Sequence, residues 1–115
     1  MRVLWFSWRD IKHPEAGGAE VFTYEVMQRL IKQGYSFTLF TSGYRDAQSD
    51  DNINGINVIR GGGKYTVYSK AKRYYADNKS DFDLVVDEIN VKPFLTPKFV
   101  NEHPVLGFVH QVPRG

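Results

Sequence analysis

His13-Pro14-Glu15-Ala16-Gly17-Gly18-Ala19-Glu20 joins a short apolar run, Val3-Leu4-Trp5-Phe6, to an amphipathic stretch, through a loop whose last residues have almost no side chains. Such a strand-to-helix junction can hold a phosphate. At a helix start the first backbone N–H groups lack intrahelical partners and the macrodipole adds partial positive charge, so an anion is favoured there. Gly17 and Gly18 let an anion come close. The plainer reading is that two glycines relieve a tight turn or cap a helix.

Outward from this junction, short apolar strands alternate with helices. Arg2 to Ser7 suits a buried central strand, and Phe22, Val26 and Leu30, with Ala19 and Met27 nearby, mark one face of a helix that Gly34 closes as its C-cap. Ser36 to Thr41 reads as a second strand, the polar stretch Gly43 to Asn54 as a loop, and Ile56 to Arg60 as a third strand. A helix from about Thr66 carries Val67, Ala71 and Tyr74 as its apolar stripe, flanked by Tyr65, Tyr68 and Tyr75. Leu84-Val85-Val86 supplies a fourth strand, a third helix follows, and Val105 to Val109 is a fifth strand. The order predicts one α/β domain over residues 1–115, a Rossmann-like, open, mostly parallel sheet with helices on both faces. Ligands of such sheets collect at the strand carboxyl ends, here Ser7, Thr41, Arg60, Asp87 and His110.

Composition narrows the class. With 15 basic and 13 acidic residues the net charge is +2, too small to indicate nucleic acid as the partner. The absence of cysteine excludes disulfides and thiol catalysis in this chain. No stretch approaches the roughly 18 apolar residues of a membrane span, and Val3 to Phe6 is too short for a signal-peptide core, so a cytoplasmic location is expected. Positive charge is concentrated between Arg60 and Lys79, where Arg60, Lys64, Lys70, Lys72, Arg73 and Lys79 face the single acid Asp77. Such a helix ordinarily covers a sheet and wets its charges; the functional alternative rests the Lys64 to Lys79 segment on anionic lipid, peripherally at the inner membrane face, or attracts a phosphorylated acceptor.

Several familiar α/β chemistries fail on spacing. A dinucleotide fold wants G-x-G-x-x-G near the first strand and an acid closing the second, but the first loop runs from Ser7 to Gly17 and the second strand closes with Thr41-Ser42. Gly61-Gly62-Gly63-Lys64-Tyr65 fails as a Walker loop at the residue after lysine. A phospho-receiver needs carboxylates at the ends of strands one and three, where Ser7 and Arg60 stand. Asp81-Phe82-Asp83 has the D-x-D form of a metal site but precedes the fourth strand, at the edge opposite the strand carboxyl ends, and His13, His103 and His110 are too scattered to make one, so no metal and no cofactor is expected. Asp87 and Glu88, with Asn90 after them, close the fourth strand at the ligand edge, where they could accept hydrogen bonds from an acceptor hydroxyl or simply be solvated.

Trp8-Arg9-Asp10, His13-Pro14, Ala16-Gly17-Gly18-Ala19-Glu20, Val67-Tyr68, Ile89-Asn90, Pro93-Phe94, Thr96-Pro97 and His110-Gln111 resemble, in this order and at similar spacing, the amino-terminal domain of group 1 (family 4) retaining glycosyltransferases of the GT-B fold. The resemblance covers essentially the whole chain. It implies transfer of a sugar from a nucleotide diphosphate sugar to a hydroxyl acceptor, glycan or lipid-linked, without a metal. It also implies that Gly17 and Gly18 face the donor diphosphate and that His110, the catalytic candidate, approaches the donor sugar. In that family the leaving diphosphate is stabilised by helix N-termini and basic groups, and its oxygen helps to remove the acceptor proton on the same face. The nucleotide pocket of such enzymes, with a basic residue and two glutamates, belongs to a second domain. The present chain therefore reads as a truncated first domain, inactive alone. A phosphate-binding or protein-interaction module without enzymatic activity is the alternative.

Overall fold

The computed structural model describes residues 1–7, 10–12, 17–45, 47–63, 66–89 and 105–109, with only the backbone course of 105–109 and of a few other positions. The elements are β1 (Arg2–Phe6), α1 (Gly18–Ile31), β2 (Ser36–Thr41), β3 (Asp50–Ile53), β4 (Ile56–Arg60), α2 (Val67–Asn78), a 3-10 turn (Lys79–Asp81), β5 (Leu84–Ile89) and β6 (Val105–Val109). They form a six-stranded sheet in the order β3-β4-β2-β1-β5-β6. All neighbours run parallel except β3, which pairs antiparallel with β4. Apart from β3 this is the expected Rossmann-like sheet. The third helix expected between the fourth and fifth strands lies outside the described residues.

The alternation of side chains along each strand divides the core into two layers. On one face Val3, Trp5, Phe37, Leu39, Val58 and Val86 pack against Met27 of α1, whose Tyr24, Leu30 and Ile31 complete the contact. On the other, Leu4, Phe6, Phe40 and Val85 receive Val67, Ala71 and Tyr75 of α2. Edge-on ring pairs lock each layer: Trp5 with Phe37 at 6.0 Å, Phe6 with Phe40 at 5.9 Å.

Four sequence expectations change. The stretch Gly43 to Asn54 is not all loop: Asp50–Ile53 is a strand that turns back through Asn54-Gly55, both with positive φ (49° and 91°). That two-residue turn suits the twist of a hairpin, and Asn-Gly is its preferred pair. The expected stripe of α1 also rotates. Phe22 is 51% exposed; Met27 is buried as expected, and Glu20 and Thr23 are buried with it. In α2 it is Tyr75 that continues the buried stripe, while Tyr74 is half-buried beside Phe40 and Phe82. The fourth strand in the expected order, β5, runs on to Ile89. Gly34 ends α1 as expected: with φ at 98° it lets Gly34 N–H bond Ile31 O (3.0 Å) and Tyr35 N–H bond Leu30 O (3.2 Å), the paired bonds of a glycine-closed helix. Among the described residues no helix is long and apolar enough to cross a membrane.

Candidate functional site

The chain leaves β1 at the carboxyl edge of the parallel strands and re-enters the sheet at the opposite edge, so α1 begins where ligands of such sheets collect. Gly17 is its N-cap, with an extended backbone, and Gly18 its first residue. Both are exposed. The first helical bond runs from Val21 N–H to Gly17 O (3.2 Å), and no side chain caps the helix, so the N–H groups of its first turn are left to solvent or a ligand as far as the described residues go. Gly17 N–H itself is taken: it donates to Glu20 Oε2 at 2.9 Å. A carboxylate there complements the dipole and opposes an incoming anion, so the turn alone is a weak phosphate site.

Neither glycine is demanded by the fold. A Cβ on Gly17 would come no nearer than 4.0 Å to Glu20 Oε2, one on Gly18 would meet nothing within 4 Å among the described residues, and neither has a positive φ. Gly62, in the loop after β4, is the contrast: its φ is 74° and a Cβ would stand 2.7 Å from Thr66 Oγ1 and 2.9 Å from backbone.

The strand order reverses at β1, which lies between β2 and β5. Asp87 lies inside β5, level with the end of β1 and next to Ser7, since Phe6 is in register with Asp87. Both are buried and hydrogen-bonded or paired, Ser7 N–H donating to Phe40 O at 3.0 Å. Buried to 3% exposure, Asp87 is not the wet strand-end carboxylate that the bland reading would have it be. Glu88 continues β5, with its side chain outside the described residues, as are Asn90 and His110 entirely.

Arg60 departs most from expectation. Far from belonging to a free basic segment, its side chain is 2% exposed and forks onto Asp10, whose own side chain is fully buried: Nε to Oδ2 at 2.8 Å, Nη2 to Oδ1 at 3.0 Å. Nη1 donates to Gln48 O (3.1 Å) and to Asp51 Oδ2 (3.3 Å), and the guanidinium lies 5.1 Å from the centre of the Tyr44 ring. Asp51 in turn accepts from Lys12 Nζ at 3.2 Å, and Asp10 from the Lys12 N–H at 2.9 Å and the Thr41 hydroxyl at 3.4 Å. Hydrogen bonding to Asp10 holds the Arg60 guanidinium above its ordinary value, and the Lys12 bond holds the Asp51 carboxyl below its own. Asp10 escapes a reading of the sequence, but one signal points to its partner: an arginine in the alternation of Ile56 and Val58 must face inward, and there it needs a carboxylate.

The exposed cations that remain on α2 are Lys70, Lys72 and Arg73, the last 3.9 Å from Asp77. Asp83 is occupied at the opposite edge of the sheet, where the Arg2 N–H donates to Oδ2 at 2.8 Å and holds the carboxyl below its ordinary value. Lys64, His13 and His103 lie outside the described residues. No protein-family model and no curated protein matches the chain.

Proposed function

We propose that the chain is the acceptor-side, Rossmann-like domain of a retaining glycosyltransferase, which acts with a second domain to move a sugar from a nucleotide diphosphate sugar to a hydroxyl acceptor. The observation that carries this reading is the glycine pair: two exposed glycines that the fold does not need, at a helix start on the ligand edge of a parallel sheet. Charge grows on the diphosphate as its bond to the sugar breaks, and the first-turn N–H groups of α1 meet it with dipoles already oriented. Asp87, in β5 beside the end of β1, and Glu88 and Asn90 after it, are the groups proposed to receive the acceptor hydroxyl. By resemblance His110, which follows β6, approaches the donor sugar. The exposed Lys70, Lys72 and Arg73 support a peripheral contact with anionic lipid on the cytoplasmic face; Arg60 takes no part in it.

Gly18→Ala tests the reading because the two accounts of the glycine move in opposite directions. Alanine fits the space and suits a helix start, so the thermal midpoint should hold or rise, by the equivalent of up to about 1 kcal/mol. A methyl group between phosphate and backbone should still lower kcat/KM for nucleotide diphosphate sugar about tenfold or more in the enzyme that carries both domains. Full activity in the alanine variant would return Gly17 and Gly18 to a structural role.

A further inference from the structure

We propose that Asn54 is a site of spontaneous covalent modification, converting through a cyclic imide to aspartate and isoaspartate, and that Asn52 and Tyr24 hold the reaction back in the folded chain. Asn54 is the one asparagine of the sequence that is followed by glycine. A side chain on the following residue crowds the backbone nitrogen that must close the ring, and glycine has none. Asn54 and Gly55 also form the exposed tip of the β3–β4 hairpin, within reach of water and hydroxide.

The reaction needs nothing beyond the turn and the solvent. Hydroxide takes the Gly55 N–H proton and the nitrogen attacks Asn54 Cγ. The side-chain nitrogen leaves as ammonia with a proton from water, which regenerates hydroxide and closes the imide. Water then opens the ring at either carbonyl, one route giving aspartate and the other isoaspartate, whose backbone runs on through the former side-chain carbon.

The folded tip opposes the first step at both reacting atoms. Gly55 N–H, which carries the proton to be lost, donates to Asn52 Oδ1 at 3.0 Å, and the Asn54 side-chain amide donates to the Tyr24 hydroxyl of α1. From the same helix Gln28 Nε2 fixes the Asn54 carbonyl at 3.0 Å. Nitrogen and carbon are each tied to a third group, so the ring closes only in those chains whose hairpin tip has opened. The product cannot restore the turn. Isoaspartate adds a backbone carbon to a connection built for two residues, which displaces the pairing of Ile53 with Ile56 and, behind it, of Asp51 with Val58. Asp51 binds Lys12 and Arg60, so a change at the surface reaches buried charge.

The test incubates the whole chain at mildly alkaline pH, native and in urea, and follows the tryptic peptide that ends at Arg60 by mass mapping, with fragmentation to tell isoaspartate from aspartate. Conversion should fall on Asn54 and run about tenfold or more slower in the native chain than in urea. Asn52→Ala releases the Gly55 N–H, and Tyr24→Phe releases the Asn54 amide while keeping the ring. Each should speed the native reaction about threefold to tenfold and leave the rate in urea unchanged. Amide exchange at Leu4 and Val58 checks that the variants stay folded. Should either variant lose that protection, Gln28→Ala, which removes only the bond to Asn54 O, takes its place with the same expected gain in rate. Conversion in urea at another asparagine ahead of Asn54 would overturn the site. A native rate equal to that in urea, or folded variants that convert at the wild-type native rate, would overturn the protection.

Discussion

Asp51 joins two cations of different character, Lys12 with half its side chain in water and Arg60 beneath it. The bond from Lys12, then smaller contributions from Asn52 N–H and Arg60, depress its carboxyl below the ordinary 3.8, against the opposing effect of burial. A carboxyl depressed in the folded state stabilises the fold above the unfolded value and stops doing so as pH falls through the folded one. Asp83 acts with the same sign through Arg2. The thermal midpoint should therefore be level above about pH 5 and fall below about pH 4, and Asp51→Asn should make that fall shallower. A midpoint curve identical in the two proteins would show that the Lys12 contact is fully screened. At this scale half of the network is readable from sequence. Arg60 declares itself by falling in the inward alternation of Ile56 and Val58, but Asp10 is 50 positions away, and no local pattern tells a strand-end arginine which carboxylate will reach it.

Within α1, the spacing of Phe22, Val26 and Leu30, with Met27 nearby, promises one buried face, but only part of it is buried: Met27 and Leu30 pack against the sheet while Phe22 is 51% exposed. Beside Met27 and Leu30 the helix also buries two polar residues, Glu20 and Thr23. The reason lies at the helix start, where Glu20 accepts the N-cap N–H and, with Thr23, borders a small pocket between α1 and the sheet; that end sets the rotation, and hydrophobicity alone misjudges it. Met27→Ala should accordingly cost about 2–5 kcal/mol in chemical denaturation, while Phe22→Ala stays near 0.5 kcal/mol or less. Equal losses would restore the face that the sequence suggests. The β3–β4 hairpin is the reverse case, since its signal was present and outweighed. Asp50, Asp51 and Asn52 have the composition of a loop, yet Asn54-Gly55 between Ile53 and Ile56 is a strong short-range mark of a two-residue hairpin. The tip also rests on α1, with Gln28 Nε2 donating to Asn54 O at 3.0 Å and the Asn54 amide on the Tyr24 hydroxyl, contacts that only the folded sheet brings together.

At the scale of the molecule the alternation of elements foretells the parallel sheet and the edge at which a ligand would lie, because buried strands and crossover helices leave few other arrangements. Chemistry at that edge is less legible, since it depends on which strand ends become neighbours. For the 115-residue chain alone the expected outcome of calorimetry with uridine, guanosine and adenosine diphosphate sugars is no binding in the micromolar range. The first-turn donors of α1, offset by Glu20, offer about 0.3–1 kcal/mol of dipole stabilisation in water, against roughly 8 kcal/mol for a micromolar complex. A micromolar isotherm would move the donor site onto this domain. The central place of β1 also bears on how the chain is born. Its two partners come at different times: β2 reaches one side early, but Val3 has none on the other until Leu84 has emerged from the ribosome. In the interval the nascent half-sheet ends in the raw edge of Val3, Leu4, Trp5 and Phe6, the kind of edge on which another newborn chain can add a strand. A nascent chain whose Leu84 has not yet left the ribosome leaves that edge open to its neighbours on the polysome, and emergence of the chain through Ile89 seals it.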